Sequence, residues 1–420
     1  MNITQLIIIS ILIITLLILY GDIFTYSKCD ISANNYEFFN MFQEQVVDEN
    51  KNLSYNKLYY DIDCSYIKKG CFYEALEKNN FKKTDKLVEA SLIMPCTYET
   101  TDKEFEEIKR KKISENIYGD NVRIFMLKNT DYLVSKIVLW IIIKNYYGAT
   151  EAAKIMPYTW NLNSKQDIND FKQNFVKDKL YIVKNNTQRQ EGLLILDNLE
   201  NIINSNNKYL LVQELLQDPY LINGRKINLR VYCLFIKNYK GSFKICIYKD
   251  GFMYYTPDLF KKNTKEFSKN ITTGYVDRKV YQENPLTHDD FRVYLDSNRN
   301  LSEIEKNVIN KNVINKNIKL SEYIFTQIYD LLKSVFYIYT NLLSIEDLGI
   351  GFQLYGADIA INDNLNPSLM EINKGPDLTA KDGRDKELKL KLSEDILKSV
   401  GLLPNVNNNF ITVIESKKEE

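Results

Sequence analysis

The segment at residues 351–378, GFQLYGADIAINDNLNPSLMEINKGPDL, constrains the fold of this chain more than any other segment. Asp358 interrupts an apolar run, NDNLNP predicts a turn, and Glu371 and Asn373 lie two residues apart on the return strand. Side chains alternate along a strand, so oxygen-bearing side chains from both strands can point to the same face. The segment therefore predicts a β-hairpin with a polar site inside an otherwise apolar sheet.

The oxygen atoms of Asp358, Glu371 and Asn373 are suited to Mg²⁺ bridged to nucleotide phosphates, because Mg²⁺ takes one or two protein carboxylates and completes its shell with phosphate and water. The alternative is that these residues belong to a turn and to the solvated face of an ordinary hairpin. Carboxylates within Leu- and Ile-rich strands cost free energy unless they are paired or bound to metal, which favours the metal site.

A second strand, GRKINLRVYCLF, carries Lys226, Asn228 and Arg230 at a period of two. Its opposite face is apolar, so one face faces a core and the other presents two cations suited to phosphate or carboxylate. An exposed edge strand is the competing interpretation.

A third candidate is Lys184, at the end of the strand YIVK and before a polar loop that leads to the strand LLIL. Such a hairpin can cover phosphates while the lysine neutralises them. A strand-ending lysine that is merely solvated is the alternative.

Composition excludes several classes of function. The chain of 420 residues has one histidine, His288, which cannot by itself supply a catalytic triad or a poly-histidine zinc site. Lys and Arg together number 55, as do Asp and Glu, so no net charge attracts nucleic acid, and no nucleic-acid partner is expected. The six cysteines form no CxxC pair and predict buried free thiols, with a Cys64–Cys71 disulfide as the alternative.

The order of motifs resembles the tubulin tyrosine ligase-like family over roughly residues 75 to 400: IVK, VQELLQDPYLINGRKINLR, CIYKDGF and then YGADIAINDNLNPSLMEINKGPDL. The resemblance implies an ATP-grasp fold. With the segments that precede it, the expected structure is α/β (α+β): an ATP-grasp fold with a small N-terminal α/β domain, preceded by a transmembrane helix that the apolar first segment predicts. The resemblance also implies an ATP- and Mg²⁺-dependent ligase that forms an acyl phosphate on a carboxylate, which the amine of a free amino acid then attacks. The expected acceptor is a protein or peptide with an acidic tail, such as tubulin.

The resemblance also implies a role for each matching residue. Lys184 and Lys226 would bind the nucleotide, with Asn228 beside them, and the Gln213–Glu214 segment would read adenine through its backbone. Arg230 would stabilise the acyl phosphate, and Glu371 would take part in catalysis. Asp358, Glu371 and Asn373 would hold Mg²⁺. Phosphoryl transfer of this kind relies on positioning and charge, and therefore requires no histidine.

The chain also departs from the family pattern. Asn228 stands where the pattern K-x-D-x-R has a carboxylate, and Tyr254 stands where an arginine is expected. The His-x-Thr-Asn segment of the family is here Asn270, Ile271, Thr272 and Thr273. These changes support an alternative hypothesis, a non-catalytic nucleotide-binding or scaffold protein at a membrane. A third hypothesis is amide ligation to a small molecule.

The first segment of the chain is almost uniformly apolar. Residues 3–20 carry no charge and nearly match the ~20 residues that cross a bilayer. They predict a retained membrane anchor at residues 1–26, hence a single-pass membrane protein with its catalytic domain facing the cytosol; a cleaved signal peptide and a buried helix are the alternatives.

The pattern of apolar and polar residues after the first segment predicts four further units. They are a small α/β domain at residues 27–120, a central domain at 121–180, the ATP-grasp domain at 181–404 and a flexible tail at 405–420. One helix is expected from a cap at Thr130 or Asp131 to a stop at Gly148. Another is expected over residues 321–343, preceded by an exposed KNVIN repeat at residues 306–315.

Overall fold

The computed structural model describes residues 56–61, 70–95, 101–114, 122–185, 192–297, 299–315, 319–345 and 349–416. Its strands are β1 (Leu58–Asp61), β2 (Lys82–Lys83), β3 (Leu92–Met94), β4 (Arg123–Ile124), β5 (Thr159–Asn161), β6 (Tyr181–Lys184), β7 (Leu193–Leu196), β8 (Leu211–Glu214), β9 (Leu221–Ile222), β10 (Arg225–Asn238), β11 (Phe243–Tyr255), β12 (Ile350–Ile361), β13 (Pro367–Lys374) and β14 (Phe410–Ser416).

The helices are α1 (Cys71–Lys78), α2 (Thr101–Ser114), α3 (Asp131–Val134), α4 (Lys136–Tyr147), α5 (Ala149–Ile155), α6 (Lys165–Asn174), α7 (Leu199–Ile203), α8 (Phe267–Asn270), α9 (Val280–Glu283), α10 (His288–Asp296), α11 (Glu303–Asn315), α12 (Leu320–Tyr339) and α13 (Gly383–Ser399). The structure is therefore a mixed α/β fold, consistent with the ATP-grasp fold that the sequence predicts.

A large sheet forms the centre of the described structure. Its strands follow the order β14-β11-β10-β12-β4-β3-β1-β2, with β13 also paired to β12 and β9 to β10. The long strands β10, β11, β12 and β13 pair antiparallel where they are adjacent to one another, whereas β4 pairs in parallel with β12 and with β3, and β3 in parallel with β1. The predicted strands and the predicted hairpin of β12 and β13 are confirmed.

Helices bury the large sheet. Helix α12 presents Ile324, Ile328, Leu332 and Phe336 to the core, at helical spacing, and the Phe336 ring meets Phe235 of β10 edge-on. Strand β12 is buried along all but its first residue, as expected for a strand covered on both faces. A carboxylate within this strand, Asp358, therefore requires a partner.

A smaller sheet, in the order β5-β8-β6-β7, carries the other predicted site residues. Its core is aromatic: Trp160, Phe171 and Tyr181 pack together, and the Trp160 indole donates to Asp170 over 2.7 Å. The opposite face is aliphatic and includes Ile182, Ile195 and Leu215. Lys184 and Gln213 are thus held by a packed sheet.

Local differences from the sequence-based predictions have physical causes. The sequence predicts one helix up to Gly148, but the backbone of Ser135 is extended and divides it into α3 and α4. Gly148 ends α4, as predicted, with a φ of 82°. The KNVIN repeat falls within helix α11. Cys71, Cys233 and Cys246 are buried and free, which argues against a bridge to Cys71.

The predicted flexible tail at residues 405–420 is corrected for residues 410–416. They form β14, which pairs antiparallel with β11 at the edge of the large sheet. Buried Asp395 of α13 fixes the approach to this strand, because its carboxylate accepts from the side-chain and backbone nitrogens of Asn409. The Asn-rich sequence therefore serves as a turn before an edge strand. The other predicted domain boundaries stay predictions.

The predicted single-pass membrane localisation is not supported and is corrected here. Within the described ranges, no helix combines the length and apolarity needed to span a bilayer. The longest of them, α12, carries Glu322, Asp330 and Lys333, and charged side chains in a spanning helix are costly. The segment for which the anchor was predicted, residues 1–26, lies outside the described residues.

Candidate active site

Three adjacent strands bring three charged side chains into one row. Arg230 of β10 lies opposite Asp358 of β12, and Asp358 lies opposite Glu371 of β13. The β12–β13 pairing shifts register directly after Asp358, so an irregularity in the sheet marks the site. The row brings the sequence-predicted hairpin and the Arg230 strand together on one face of the sheet.

Arg230 and Asp358 form a buried, bidentate ion pair. Arg230 Nε and Nη2 donate to the two oxygens of Asp358 over 2.6 and 3.0 Å. Burial raises the pKa of Asp358 to about 6 even though Arg230 opposes the shift. Burial alone would lower the pKa of Arg230, but Asp358 and Tyr254 raise it well above its ordinary value. The guanidinium is therefore a fixed positive charge.

Glu371 and Asn373 complete the group predicted to hold metal. The Asn373 amide nitrogen lies 3.4 Å from Asp358 Oδ2 and 3.2 Å from Glu371 Oε1. Burial would raise the pKa of Glu371, but Lys136 and Lys184 more than offset it, so the pKa is lowered. Glu371 therefore remains ionised.

Lys184 and Gln213 meet on the smaller sheet. Lys184 Nζ donates to Gln213 Oε1 over 2.6 Å, and Gln213 Nε2 in turn donates to Thr159 Oγ1 over 2.9 Å. Burial lowers the pKa of Lys184 to about 8. The Gln213 side chain thus positions the Lys184 ammonium.

The neighbouring Glu214 has a different set of partners. Its carboxylate accepts from Lys179 over 2.6 Å, and its backbone N–H donates to Tyr158 O over 3.0 Å. The adenine contact expected of the Gln213–Glu214 backbone stays a prediction.

Lys226 and Asn228 extend the polar face of β10. Lys226 is buried and donates to the carbonyl of Leu216 over 3.1 Å. Burial and the nearby Lys184 lower the pKa of Lys226 to about 7. The Oδ1 atom of Asn228 is buried and has no hydrogen-bond partner among the described residues. Both side chains hold hydrogen-bonding capacity that a ligand would use.

Lys136, a residue that the sequence analysis missed, belongs to the same site. Its ammonium lies 3.6 Å from Glu371 Oε2, and its side chain is only 14% exposed. Lys136 is the first residue of α4, and a cation at a helix N-terminus opposes the helix dipole. The sequence predicts one continuous helix across this position, so the placement of Lys136 at a helix N-terminus became visible only in the structure.

The site as a whole carries an excess of positive charge. Its cations are Lys136, Lys184, Lys226 and Arg230, and its anions are Asp358 and Glu371. Electrostatic interactions couple the six: Lys184 with Glu371 and Lys226, Lys136 with Glu371, and Arg230 with Asp358. Buried cations in excess attract an anionic ligand, because such a ligand restores their charge balance.

Tyr254 covers the guanidinium of Arg230. Its ring centroid lies 5.0 Å from the Arg230 Cζ atom, and the two residues sit on the adjacent strands β11 and β10. This contact fixes the orientation of the guanidinium plane. The departure from the family pattern at position 254 therefore places an aromatic cover on Arg230.

The other departing segment has mainly structural contacts. Asn270 is buried, and its amide nitrogen donates to the carbonyls of Thr264 and Glu266. The Thr273 N–H donates to Tyr255 O over 2.9 Å, which holds the segment against β11.

A substitution at Gly356 tests the positioning of Arg230. A Cβ atom at Gly356 would lie 2.8 Å from Arg230 Cδ and 3.1 Å from Pro376 Cβ. We expect Gly356→Ala to displace Arg230 and to lower the free energy of unfolding by about 1–3 kcal/mol. Gly383→Ala is the matched control, since a Cβ there meets nothing within 4 Å. Equal denaturation midpoints for both variants would contradict the close packing described here.

The oxygen donors fit a nucleotide-bridged Mg²⁺ rather than a metal held by protein alone. Within the part of the chain that the structure describes, no group of three or more His, Cys, Asp or Glu side chains could hold a metal ion. Two carboxylates and one amide oxygen, from Asp358, Glu371 and Asn373, are sufficient only if phosphate and water supply the other positions. The excess of cations around them provides for that phosphate.

Similarity to known proteins covers most of the chain. A sequence profile of the Tubulin-tyrosine ligase family matches residues 117–409, which include every candidate site residue. A probable tubulin polyglutamylase of Rattus norvegicus is 30% identical over 200 residues, covering 45% of this chain and 38% of the relative.

Two further relatives are more distant. A probable beta-tubulin polyglutamylase of Tetrahymena thermophila is 23% identical over 61% of this chain and 22% of its own length, and tubulin glycylase 3B of Drosophila melanogaster is 27% identical over 48% and 26%. The match thus spans about a fifth to two fifths of each of these relatives. The family profile covers more than half of the chain, and the chain belongs to the tubulin-tyrosine ligase family.

Proposed function

We propose that this protein is an ATP- and Mg²⁺-dependent ligase that joins a free amino acid to a carboxylate of a protein or peptide. The observation that carries the proposal is the cluster of four buried or half-buried cations around two carboxylates at the junction of β10, β12 and β13. A structural ion-pair network needs no such excess. An enzyme that transfers a phosphoryl group from a nucleoside triphosphate needs an excess of cations, because the reacting group is polyanionic.

Lys184 and Lys226 are the residues best suited to bind the nucleotide phosphates. Each has an ammonium group hydrogen-bonded only to neutral oxygen atoms in the contacts above, and each has a pKa lowered by burial. A phosphate beside them favours their charged forms and makes charge-assisted hydrogen bonds. Nucleotide binding would therefore be accompanied by proton uptake at neutral pH.

Asp358, Glu371 and Asn373 would hold Mg²⁺, which neutralises phosphate charge when bound. Arg230 remains beside them as a fixed cation. In the reaction, an acceptor carboxylate oxygen bonds to the γ-phosphorus as the bond to the ADP oxygen breaks. The amine nitrogen of the amino acid then attacks the acyl carbon and forms the C–N bond. The C–O bond to the phosphate breaks, inorganic phosphate leaves with the bonding electrons, and the amine proton passes to solvent. Arg230 would stabilise the negative charge on the transferred group.

The proposed acceptor is a protein with an acidic tail. The relatives named above are called polyglutamylases and a glycylase of tubulin, and tubulin is therefore the first acceptor to examine. The amino acid that is added would then be either glutamate or glycine.

Calorimetric titration of the full-length protein with ATP, with and without Mg²⁺, tests the nucleotide site. We expect Mg²⁺-dependent binding, weakened about tenfold or more in Glu371→Gln, because the variant loses an anionic ligand and leaves Lys136 without its carboxylate. Glu266→Gln is the matched control, since Glu266 is exposed and pairs with Lys269. Equal ATP affinities of all three proteins would contradict the assignment of Glu371 as a metal ligand. Absence of ATP binding by the parent would contradict the ligase and favour a non-catalytic member of the family.

A further inference from the structure

Lys381, in the loop between β13 and α13, presents an ammonium group that is not neutralised by a described carboxylate. It donates to Gly274 O over 2.6 Å and lies 3.9 Å from the ring centroid of Tyr275. The nearest carboxylates are engaged elsewhere: Asp385 pairs with Lys389 over 3.1 Å, and Asp377 accepts from the Thr379 N–H. An ammonium group has three donors, so Lys381 retains capacity for an anionic ligand.

A continuous series of contacts joins Lys381 to the active site. A Cβ atom at Gly274 would lie 2.8 Å from Tyr254 Cε1 and 3.3 Å from Lys381 Nζ. The side chains of Tyr254 and Lys381 therefore both pack beside Gly274. The centroid of the same Tyr254 ring lies 5.0 Å from the Arg230 Cζ atom. We call Tyr254, Gly274, Tyr275 and Lys381 the rim. The rim thus connects Lys381, through Gly274 and Tyr254, to Arg230.

We propose that Lys381 is a specificity-determining residue, which binds a carboxylate of the acceptor next to the carboxylate that reacts beside Arg230. This inference rests on the proposed ligase function and names the residue that selects an acidic tract. Two cations connected through Tyr254 match a chain that carries neighbouring acidic side chains. A single isolated carboxylate would use only Arg230.

The exposure of the rim favours a peptide over the nucleotide as its ligand. Lys184 and Lys226 are buried, whereas Lys381 is exposed and Tyr275 is 74% exposed. A large exposed ring beside a cation suits a macromolecular chain that crosses the surface. Although the Lys381 side chain is exposed, desolvation of its ammonium group by neighbouring atoms and the nearby Lys389 lower its pKa. An anionic side chain would reverse that shift.

The experiment measures binding of two fluorescent peptides to the full-length protein by anisotropy. One peptide is a run of glutamates, and the other has glutamine at every second position. The variants are Lys381→Gln, the conservative Lys381→Arg, and the control Lys391→Gln, an exposed lysine on α13 outside the rim. Calorimetric ATP binding is measured on the same preparations, which reports the nucleotide site separately.

We expect Lys381→Gln to bind the all-glutamate peptide about fivefold more weakly than the parent, the range of a half-exposed ion pair. Its affinity for the glutamine-containing peptide should change less, Lys381→Arg should bind nearly as the parent does, and Lys391→Gln should match the parent. The inference is overturned if the parent does not distinguish the peptides, or if Lys381→Gln and Lys391→Gln behave alike. Failure of the proposed function would appear instead as loss of ATP binding by the parent.

Discussion

Replacing Arg230 with Met should lower the free energy of unfolding by about 3–5 kcal/mol, because it leaves Asp358 buried and unpaired. The pair has side chains that are only 13% and 10% exposed and is joined by two hydrogen bonds. Asp358→Leu should be similarly destabilised, since it leaves the guanidinium without its partner. Urea denaturation at pH 7 measures both effects.

The double variant Arg230→Met with Asp358→Leu separates stability from function. We expect it to recover much of the lost stability, because a buried ion pair and an apolar pair of similar volume differ little in free energy. Ligation should remain absent, since no cation is then left at position 230.

Lys262→Met is the control for an exposed ion pair. Lys262 and Asp218 are each 56% exposed, and loss of this pair should lower the free energy of unfolding by less than about 1 kcal/mol. Equal losses for Lys262→Met and Arg230→Met would contradict the buried pair.

Replacing Lys226 with Met should make the ligand-free protein more stable at pH 7 and abolish its affinity for ATP. Burial and Lys184 lower the pKa of Lys226 to about 7 in the folded state, whereas an unfolded chain has the ordinary lysine pKa of about 10.4. The unfolded state therefore holds more protons between about pH 7 and pH 10, and stability rises with pH across that window. The destabilising contribution of Lys226 is fully present below about pH 7.

The stabilisation by Lys226→Met should reach about 2–4 kcal/mol at pH 7 and shrink towards pH 10, where the free amine is also neutral in the unfolded chain. Thermal unfolding at the two pH values measures this difference, with Lys391→Met as an exposed control. A variant less stable than the parent at pH 7 would contradict the burial argument. For the parent, ATP affinity should fall as pH rises through about 7 to 8, as Lys226 and Lys184 lose their protons.

Residues that share a strand period were predictable from the sequence. Asp358, Glu371 and Asn373 follow from alternation within one hairpin, and Lys226 and Arg230 follow from alternation within one strand. Each such prediction depends only on neighbours within about 25 residues of the chain. The strand order that brings Arg230 opposite Asp358 was not predicted from the sequence.

Residues supplied by distant elements were not predictable in this way. Lys136 reaches Glu371 from a helix more than two hundred residues earlier in the chain, and no periodicity links them. Strand β14 was missed because an edge strand in a polar segment carries little alternation. The break of the predicted helix at Ser135 was missed because apolar spacing continues across it.

Mass spectrometry combined with quantification of ADP measures ATP-driven amide ligation by this protein most directly. The full-length protein is incubated with ATP, Mg²⁺, a tubulin-tail or polyglutamate peptide, and either glutamate or glycine. We predict that the peptide gains the mass of one or more residues of one amino acid, with one ADP released for each residue added, and that Glu371→Gln forms neither product. ADP release without a change in peptide mass, or no release with any of these peptides and both amino acids, would contradict a ligase of this kind.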